Sequence, residues 1–217
     1  MKSACFIPIK SYSARVSKKN TKPLNNIPLF HYALNTVLSA GVFSDVYVDT
    51  DSDLVKDYIK DKSVKLIERD PSLAEDNANG NDLLNYWSES FPNYNFYFQI
   101  FVTSPFLKED TVKQCLSILT ENNDYDSIFT AYKEHTWFWY NNKPTNYNPK
   151  ILPRSQDATP MIKETTSLYG ITKNALTKHG ARIGENPCMY FVDQIESIDI
   201  DNDLDFFIAE QIFKYEH

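Results

Sequence analysis

The 217-residue chain predicts an α/β fold, a mostly parallel sheet covered on both faces. Three observations carry this expectation. Short apolar runs alternate with longer helical periodicities, the runs are rich in β-branched and aromatic residues, and the length suits one domain with a substantial core. Ala4 to Ile9 is a short apolar run and reads as a buried strand, followed by a polar loop from Lys10 to Asn26. Pro28 opens a helix in which Leu29, Tyr32, Ala33, Thr36 and Val37 recur at helical spacing, with Gly41 as its stop. Val46 to Val48 is the second strand, and Asp49-Thr50-Asp51-Ser52 offers caps for a helix near Leu54. Val64 to Ile67 is a strand, Leu83 to Phe91 a helix, Phe96 to Val102 a strand, Thr111 to Thr120 a helix and Ser127 to Ala131 a strand. The aromatic stretch from Thr136 to Leu152 is an excursion from this core, a lid or a dimer arm. The chain is expected to be a single domain over 1–217 with a subdomain at about 134–170.

Composition narrows the class. Hydrophobic residues at 42% and charged residues at 24% are ordinary globular values. Cys5, Cys115 and Cys188 form no Cys-x-x-Cys pair, which predicts reduced thiols and a cytoplasmic location. The N-terminal apolar run stops at Lys10, short of a signal-peptide core, and no stretch approaches the roughly 20 apolar residues of a membrane span. A net charge of −7 argues against nucleic-acid binding. Its distribution is uneven. Six of the 22 basic residues lie in 1–44, where no acid occurs, so the remaining 16 face 29 acids and leave the rest at −13. An acidic protein with one purely basic segment is expected to bring an anion to it; a solvated basic terminus is the alternative.

In open α/β sheets ligands bind beyond the carboxyl ends of the strands. The loop after the first strand carries Lys10, Arg15, Lys18 and Lys19 with Ser11 and Ser13, a set suited to a triphosphate. It contains no glycine and matches neither the P-loop nor the dinucleotide fingerprint. Asp199 and Asp201 flank Ile200; on a strand they would point the same way and could approach one divalent cation through oxygen. The same acids, with Asp203 and Asp205, would alternatively cap the final helix. Asp82 reads on its own as a helix N-cap.

Five segments in order carry a resemblance. The strand and loop Pro8-x-Lys10-x-x-Ser13-x-Arg15-x-x-x-Lys19-Asn20, then Val46 to Ser52, Glu68 to Asp76, Val102-Thr103-Ser104-Pro105, and Ile198-Asp199-Ile200-Asp201-Asn202-Asp203-Leu204-Asp205 together resemble the CMP-sugar synthetases. These are acylneuraminate cytidylyltransferases and their relatives acting on Kdo, pseudaminic and legionaminic acids. The resemblance implies a Rossmann-like sheet of the nucleotidyltransferase (GT-A-like) type with a small dimerisation or lid excursion. It implies CMP transfer from CTP to the anomeric hydroxyl of a sugar acid, with Mg²⁺ (Mn²⁺ also serving) and a homodimer. Arg15 and Lys19 would hold the β- and γ-phosphates, and Asp201 would act with them in catalysis. Lys10, Ser13 and Asn20 would shape the loop or touch the nucleotide, joined by Arg69 and Asn79. Gln99, Thr103, Arg154, Glu164 and Thr165 would meet the sugar, and Asp199, Asp201 and Asp82 the metal. The chain departs from the sialic-acid enzymes at Phe101, where they carry Gln, with Gln99 two positions earlier on the same face. Three other readings stand beside this one: a glycosyltransferase using Asp49-Thr50-Asp51 as a metal motif, a noncatalytic nucleotide-binding relative, and a methylerythritol- or hexose-phosphate nucleotidyltransferase.

Overall fold

A computed structural model describes residues 1–13, 16–75 and 77–216, with residue 216 described by its backbone alone. In chain order the elements are β1 (Ser3–Ile9), β2 (Pro23–Leu24), β3 (Ile27–Pro28), α1 (Leu29–Ala40), β4 (Asp45–Thr50), α2 (Asp53–Ile59), β5 (Lys65–Glu68), α3 (Gly80–Ser90), β6 (Phe96–Ile100) and α4 (Glu109–Glu121). There follow β7 (Ser127–Glu134), β8 (Trp139–Tyr140), β9 (Lys143–Pro144), β10 (Met161–Thr172), α5 (Lys173–His179), β11 (Pro187–Phe191) and α6 (Asp203–Glu216). Seven strands form one sheet in the order β11-β7-β10-β6-β1-β4-β5. All pair in parallel except β10, which runs antiparallel to both β6 and β7.

Side-chain alternation in β1 explains the layers. Cys5, Ile7 and Ile9 face a core closed by Phe30, Leu34 and Val37 of α1, Val55 of α2, and Val112 and Cys115 of α4. Ala4 and Phe6 face the other way, into a core with Leu83, Leu84 and Trp87 of α3 and Ala175 and Leu176 of α5. The expected parallel sheet with two covered faces is therefore what forms. α1 ends on Gly41 at φ 63°, its amide returning to Val37 O, as the stop signal requires. In β10, Gly170 has no alternative: a β-carbon there would lie 2.5 Å from the ring of Phe98.

Several expectations are refined. α3 begins three residues before Leu83, because Asn79 caps it and Asp82 completes a capping box by accepting from the Asn79 amide at 2.8 Å. The 10–26 segment holds a 3₁₀ turn (Lys19–Thr21) and half of the β2–β3 hairpin as well as loop. The 136–152 excursion carries the β8–β9 hairpin. Residues 199–201, expected on a strand, belong to none. Ile200 nonetheless buries fully with Leu24, Leu29 and Phe206, tying the start of α6 to the β2–β3 hairpin, while Asp199 and Asp201 stay half-buried beside it. Among the described residues no helix is long and apolar enough to cross a membrane.

Candidate active site

The chain order reverses direction about β1: β4 and β5 lie on one side, β6 on the other. A cleft of about 330 Å³ opens at that switch point, beyond the carboxyl ends of β1 and β6. Lys10, Ser13, Lys19, Asn20, Arg69 and Asn79 line it, and Thr103 enters from beyond β6. Six of the seven residues assigned to the nucleotide are thus brought together. The seventh, Arg15, lies outside the described residues.

The loop after β1 is fixed at both ends. Ser11 donates its amide to Asp51 Oδ1 at 2.7 Å and its hydroxyl to Oδ2 at 2.5 Å. Burial acts to raise the Asp51 carboxyl, but the Ser11 bonds and the Arg69 charge outweigh it and hold the group below its ordinary range. At the far end Asn20 Nδ2 donates to Lys10 O at 2.8 Å, so Asn20 shapes the loop. Lys18, at φ 50°, stays exposed, and the next side chain turns inward: Lys19 is 7% exposed. Lys19 Nζ donates to Ile200 O at 2.7 Å and lies 3.4 Å from Asp201 Oδ1.

Arg69 reaches the cleft from the end of β5 through a buried ion pair. Its Nε donates to Asp49 Oδ1 at 2.6 Å and its Nη2 to Asp49 O at 3.1 Å. The indole of Trp87 donates to Asp49 Oδ2 at 2.6 Å. Asp49 has no exposed surface, and Asp51 is occupied by Ser11. Asp49-Thr50-Asp51 therefore works as scaffolding for Arg69 and the loop, which removes the metal motif from the glycosyltransferase reading.

Beside Lys19, Asp199 Oδ2 lies 2.7 Å from the hydroxyl of Thr166, while Oδ1 is buried without a hydrogen-bond partner among the described residues. Burial pushes the Asp199 carboxyl above its usual range, and Asp201 adds to this against the pull of Thr103, Thr166 and Lys19. An orphaned carboxylate oxygen with a second carboxylate two residues on is a donor set that fits a hard divalent cation. Thr166 itself sits at φ 57°, a left-handed conformation costly for a β-branched residue. Asp82 is exposed and engaged in the capping box, as the partner of the cap rather than the cap itself. Among the described residues no third acid, His or Cys joins Asp199 and Asp201. Asp205 Oδ2 accepts from the amides of Asp201 and Asn202 at 2.9 and 3.0 Å, the capping role expected for it.

Comparison with known proteins follows the same lines. A model of a family described as cytidylyltransferase matches residues 4–203. The chain belongs to the cytidylyltransferase family. It is 27% identical over 216 residues to N-acylneuraminate cytidylyltransferase A of Danio rerio, covering 96% of this chain and 50% of that protein. It is 23% identical over 229 residues to a pseudaminic acid cytidylyltransferase of Campylobacter jejuni, covering 100% of this chain and 98% of the relative. The chain thus spans about half the length of the N-acylneuraminate enzymes and nearly all of the pseudaminic acid enzyme. In fold it is similar to a CMP:2-keto-3-deoxy-manno-octonic acid synthetase complexed with CTP, at TM-score 0.72 and 13% identity with both chains fully covered. It is also similar to 4-diphosphocytidyl-2C-methyl-D-erythritol synthase of Anaerococcus prevotii, at TM-score 0.68 and 10% identity with 98% of each covered.

In this family member the residues expected to meet a second substrate are scattered. Gln99 is fully buried behind Gly80, its Nε2 donating to Gly80 O at 3.1 Å, and Phe101 lines the cleft instead. Thr165 is 1% exposed and its hydroxyl is spent on Thr130 at 2.7 Å and Ser167 at 2.8 Å. Arg154, 73% exposed, forms a two-pronged pair with Asp157 at 2.6 and 3.2 Å, away from the residues lining the cleft. Glu164 accepts from the Tyr169 hydroxyl and from Arg182 Nη2 at 3.1 Å. Burial, reinforced by Glu164, raises the Tyr169 phenol, so it stays a proton donor in that bond. Sequence reasoning missed Arg182, Trp87 and Thr166. For Trp87 a large polar-edged aromatic on a helix facing Asp49 was a usable signal; an isolated arginine in a turn and a left-handed threonine offer none.

Proposed function

We propose that this cytidylyltransferase moves CMP from CTP to the anomeric hydroxyl of an acidic sugar of the sialic, legionaminic, pseudaminic or Kdo-like class and releases pyrophosphate. One observation carries the reading. Lys10, Lys19 and Arg69 converge on the switch-point cleft, and Lys19 reaches from that cleft to Asp201, so the cations suited to phosphate adjoin the acids suited to a metal. The names of the relatives support the choice of substrate class.

The chemistry forms an anomeric O–Pα bond and breaks the Pα–O bond to pyrophosphate. Such transfer needs alignment and charge neutralisation more than a covalent nucleophile. Lys10 and Lys19 neutralise the triphosphate, and Arg69, held rigid by Asp49, donates from a fixed position. Asn20 and Asp51 keep the loop in its receiving shape. Asp199 and Asp201 would hold Mg²⁺ or Mn²⁺, which when bound supplies further neutralisation and a lower pKa for the attacking hydroxyl. The apolar surface of the excursion, with Trp139 57% and Tyr140 72% exposed above a cavity lined by Phe138, Pro144 and Met161, supports pairing as a homodimer. Three cysteines without a disulfide support a cytoplasmic setting.

The test is pyrophosphate release with CTP and Mg²⁺ against sialic, Kdn, legionaminic, pseudaminic and Kdo acids, repeated with UTP and ATP. Turnover with CTP and one class of acid is expected. Turnover with UTP or ATP alone, or none with any acid, overturns the proposal.

A further inference from the structure

Arg182 lies in the turn between α5 and β11, outside every motif of the sequence, yet its surroundings are built around it. Its guanidinium carbon sits 3.7 Å from the ring centre of Tyr169 and 5.9 Å from that of Phe101. Nη2 is committed to Glu164 Oε1, which also receives the Tyr169 hydroxyl. Two donors on Oε1 leave Oε2 as an acceptor with no hydrogen-bond partner among the described residues. Nη1 faces Gly80: a β-carbon on that glycine would lie 3.0 Å from Nη1, 3.2 Å from Gln99 Oε1 and 3.6 Å from the Phe101 ring, so any side chain there would crowd the guanidinium. Gly80 and Phe101 both line the cleft, so the Arg182 donor and an aromatic wall adjoin it.

The backbone of this turn is fixed by other means. Arg182 N donates to Asn81 Oδ1 at 3.0 Å, Gly184 N to Ser127 Oγ at 2.8 Å and Glu185 N to Asp126 Oδ2 at 2.8 Å. The Arg182 side chain is therefore not what holds the turn in place.

Charge balance decides which chemistry suits the site. Glu164 already cancels the guanidinium, and its carboxylate would repel a second anion. A carboxylate gains little here. An amide matches both free functions, its carbonyl accepting from Nη1, its N–H donating to Glu164, and its acyl carbon resting on Phe101. The geometry points to Arg182 as a specificity-determining residue that, paired with Glu164, receives an acylamido substituent of the acceptor sugar, an inference that rests on the function proposed above.

The test compares N-acetylneuraminic acid with Kdn, its analogue carrying hydroxyl in place of acylamido, in the wild-type protein, Arg182→Met and Arg182→Lys. The wild type is expected to prefer the acylamido acid. Arg182→Met should lower kcat/KM for that acid by about 10- to 100-fold, change Kdn little, and leave the KM for CTP within about two-fold. Arg182→Lys, which keeps the charge without the fork, should recover only part of the preference. An unchanged preference in Arg182→Met, a wild-type preference for Kdn, or a KM for CTP rising as much as that for the acid overturns this inference alone. Wild-type inactivity on every acid overturns the proposed function and this inference with it.

Discussion

Replacing Asp49 by Leu removes the counter-charge of a guanidinium that is itself buried. The two side chains of the Asp49–Arg69 pair are 1% and 3% exposed, and Asp49 also accepts the Trp87 indole. Losing one partner of a buried ion pair costs about 3–5 kcal/mol, because the surviving charge stays buried. The stranded indole N–H costs about 1 kcal/mol more, and since both effects are centred on one carboxylate they overlap. The expected loss is about 4 kcal/mol, which in a chain of this length lowers Tm by about 8–16 °C. Calorimetry and urea unfolding on the ligand-free protein measure it. Two further variants sharpen the test. Asp49→Leu with Arg69→Met should recover about half of the loss, because apolar groups then replace both charges. Saturating CTP should raise the Tm of Asp49→Leu more than that of the wild type, because phosphate offers Arg69 a new partner. A loss below about 1 kcal/mol, or a double variant no more stable than the single one, refutes the reasoning and means that Arg69 turns out to water.

Asp199→Asn is expected to raise the stability of the metal-free protein by about 1 kcal/mol, since it removes the charge of a buried carboxyl that burial disfavours, and to abolish thermal stabilisation by Mg²⁺; a Mg²⁺ shift equal to that of the wild type would return the residue to a structural role. Asp45 is held below its ordinary range first by its hydrogen bond to Lys65 and then by Tyr94, so its contribution is present above the unfolded pKa and is lost as pH falls through the lower folded value. The Tm gap between wild type and Asp45→Asn, worth below about 1 kcal/mol at pH 7 because Lys65 is half-exposed, should close on acidification to pH 3, and a constant gap contradicts the assignment. If the β8–β9 hairpin mediates the proposed homodimer, Tyr140→Glu should convert dimer to monomer in sedimentation velocity without lowering stability by more than about 1 kcal/mol; an unaltered sedimentation coefficient refutes pairing through this hairpin.

Periodicity was enough for the inner sheet, because β1, β4 and β6 are buried apolar runs and their helices show one apolar stripe each. It failed where the signal is local or interrupted. Leu24-Asn25-Asn26-Ile27 and Tyr140-Asn141-Asn142-Lys143 are tight hairpins whose paired asparagines all adopt positive φ, a turn signal that the Asn-Asn pair carries. β10 is not legible by alternation, since its outer half is exposed and its pattern is reset midway. The loop residues of the site were legible because cations after a buried strand have few other uses. Lys19 rather than Lys18 faces inward for a reason no sequence shows: the left-handed backbone at Lys18 turns the chain. Arg154, singled out in the sequence, is satisfied by Asp157, while Arg182, which no motif marked, is stacked on Tyr169.

The interruption of β10 has a consequence for how the chain tolerates change. Thr165 to Leu168 stand opposite the single Thr130 of β7, so the ladder carries slack between Glu164 and Tyr169, closed by the Thr130, Thr165 and Ser167 hydroxyls. Met161–Glu164 therefore keep a register with β7 that is independent of the one Tyr169–Thr172 keep with β6 and β7. Lengthening or shortening the 136–160 arm should shift the outer ladder and stop at the slack, leaving the floor of the cleft where it was. Arms exchanged between relatives should be joined outboard of Thr165, where the sheet behaves as two coupled pieces rather than one.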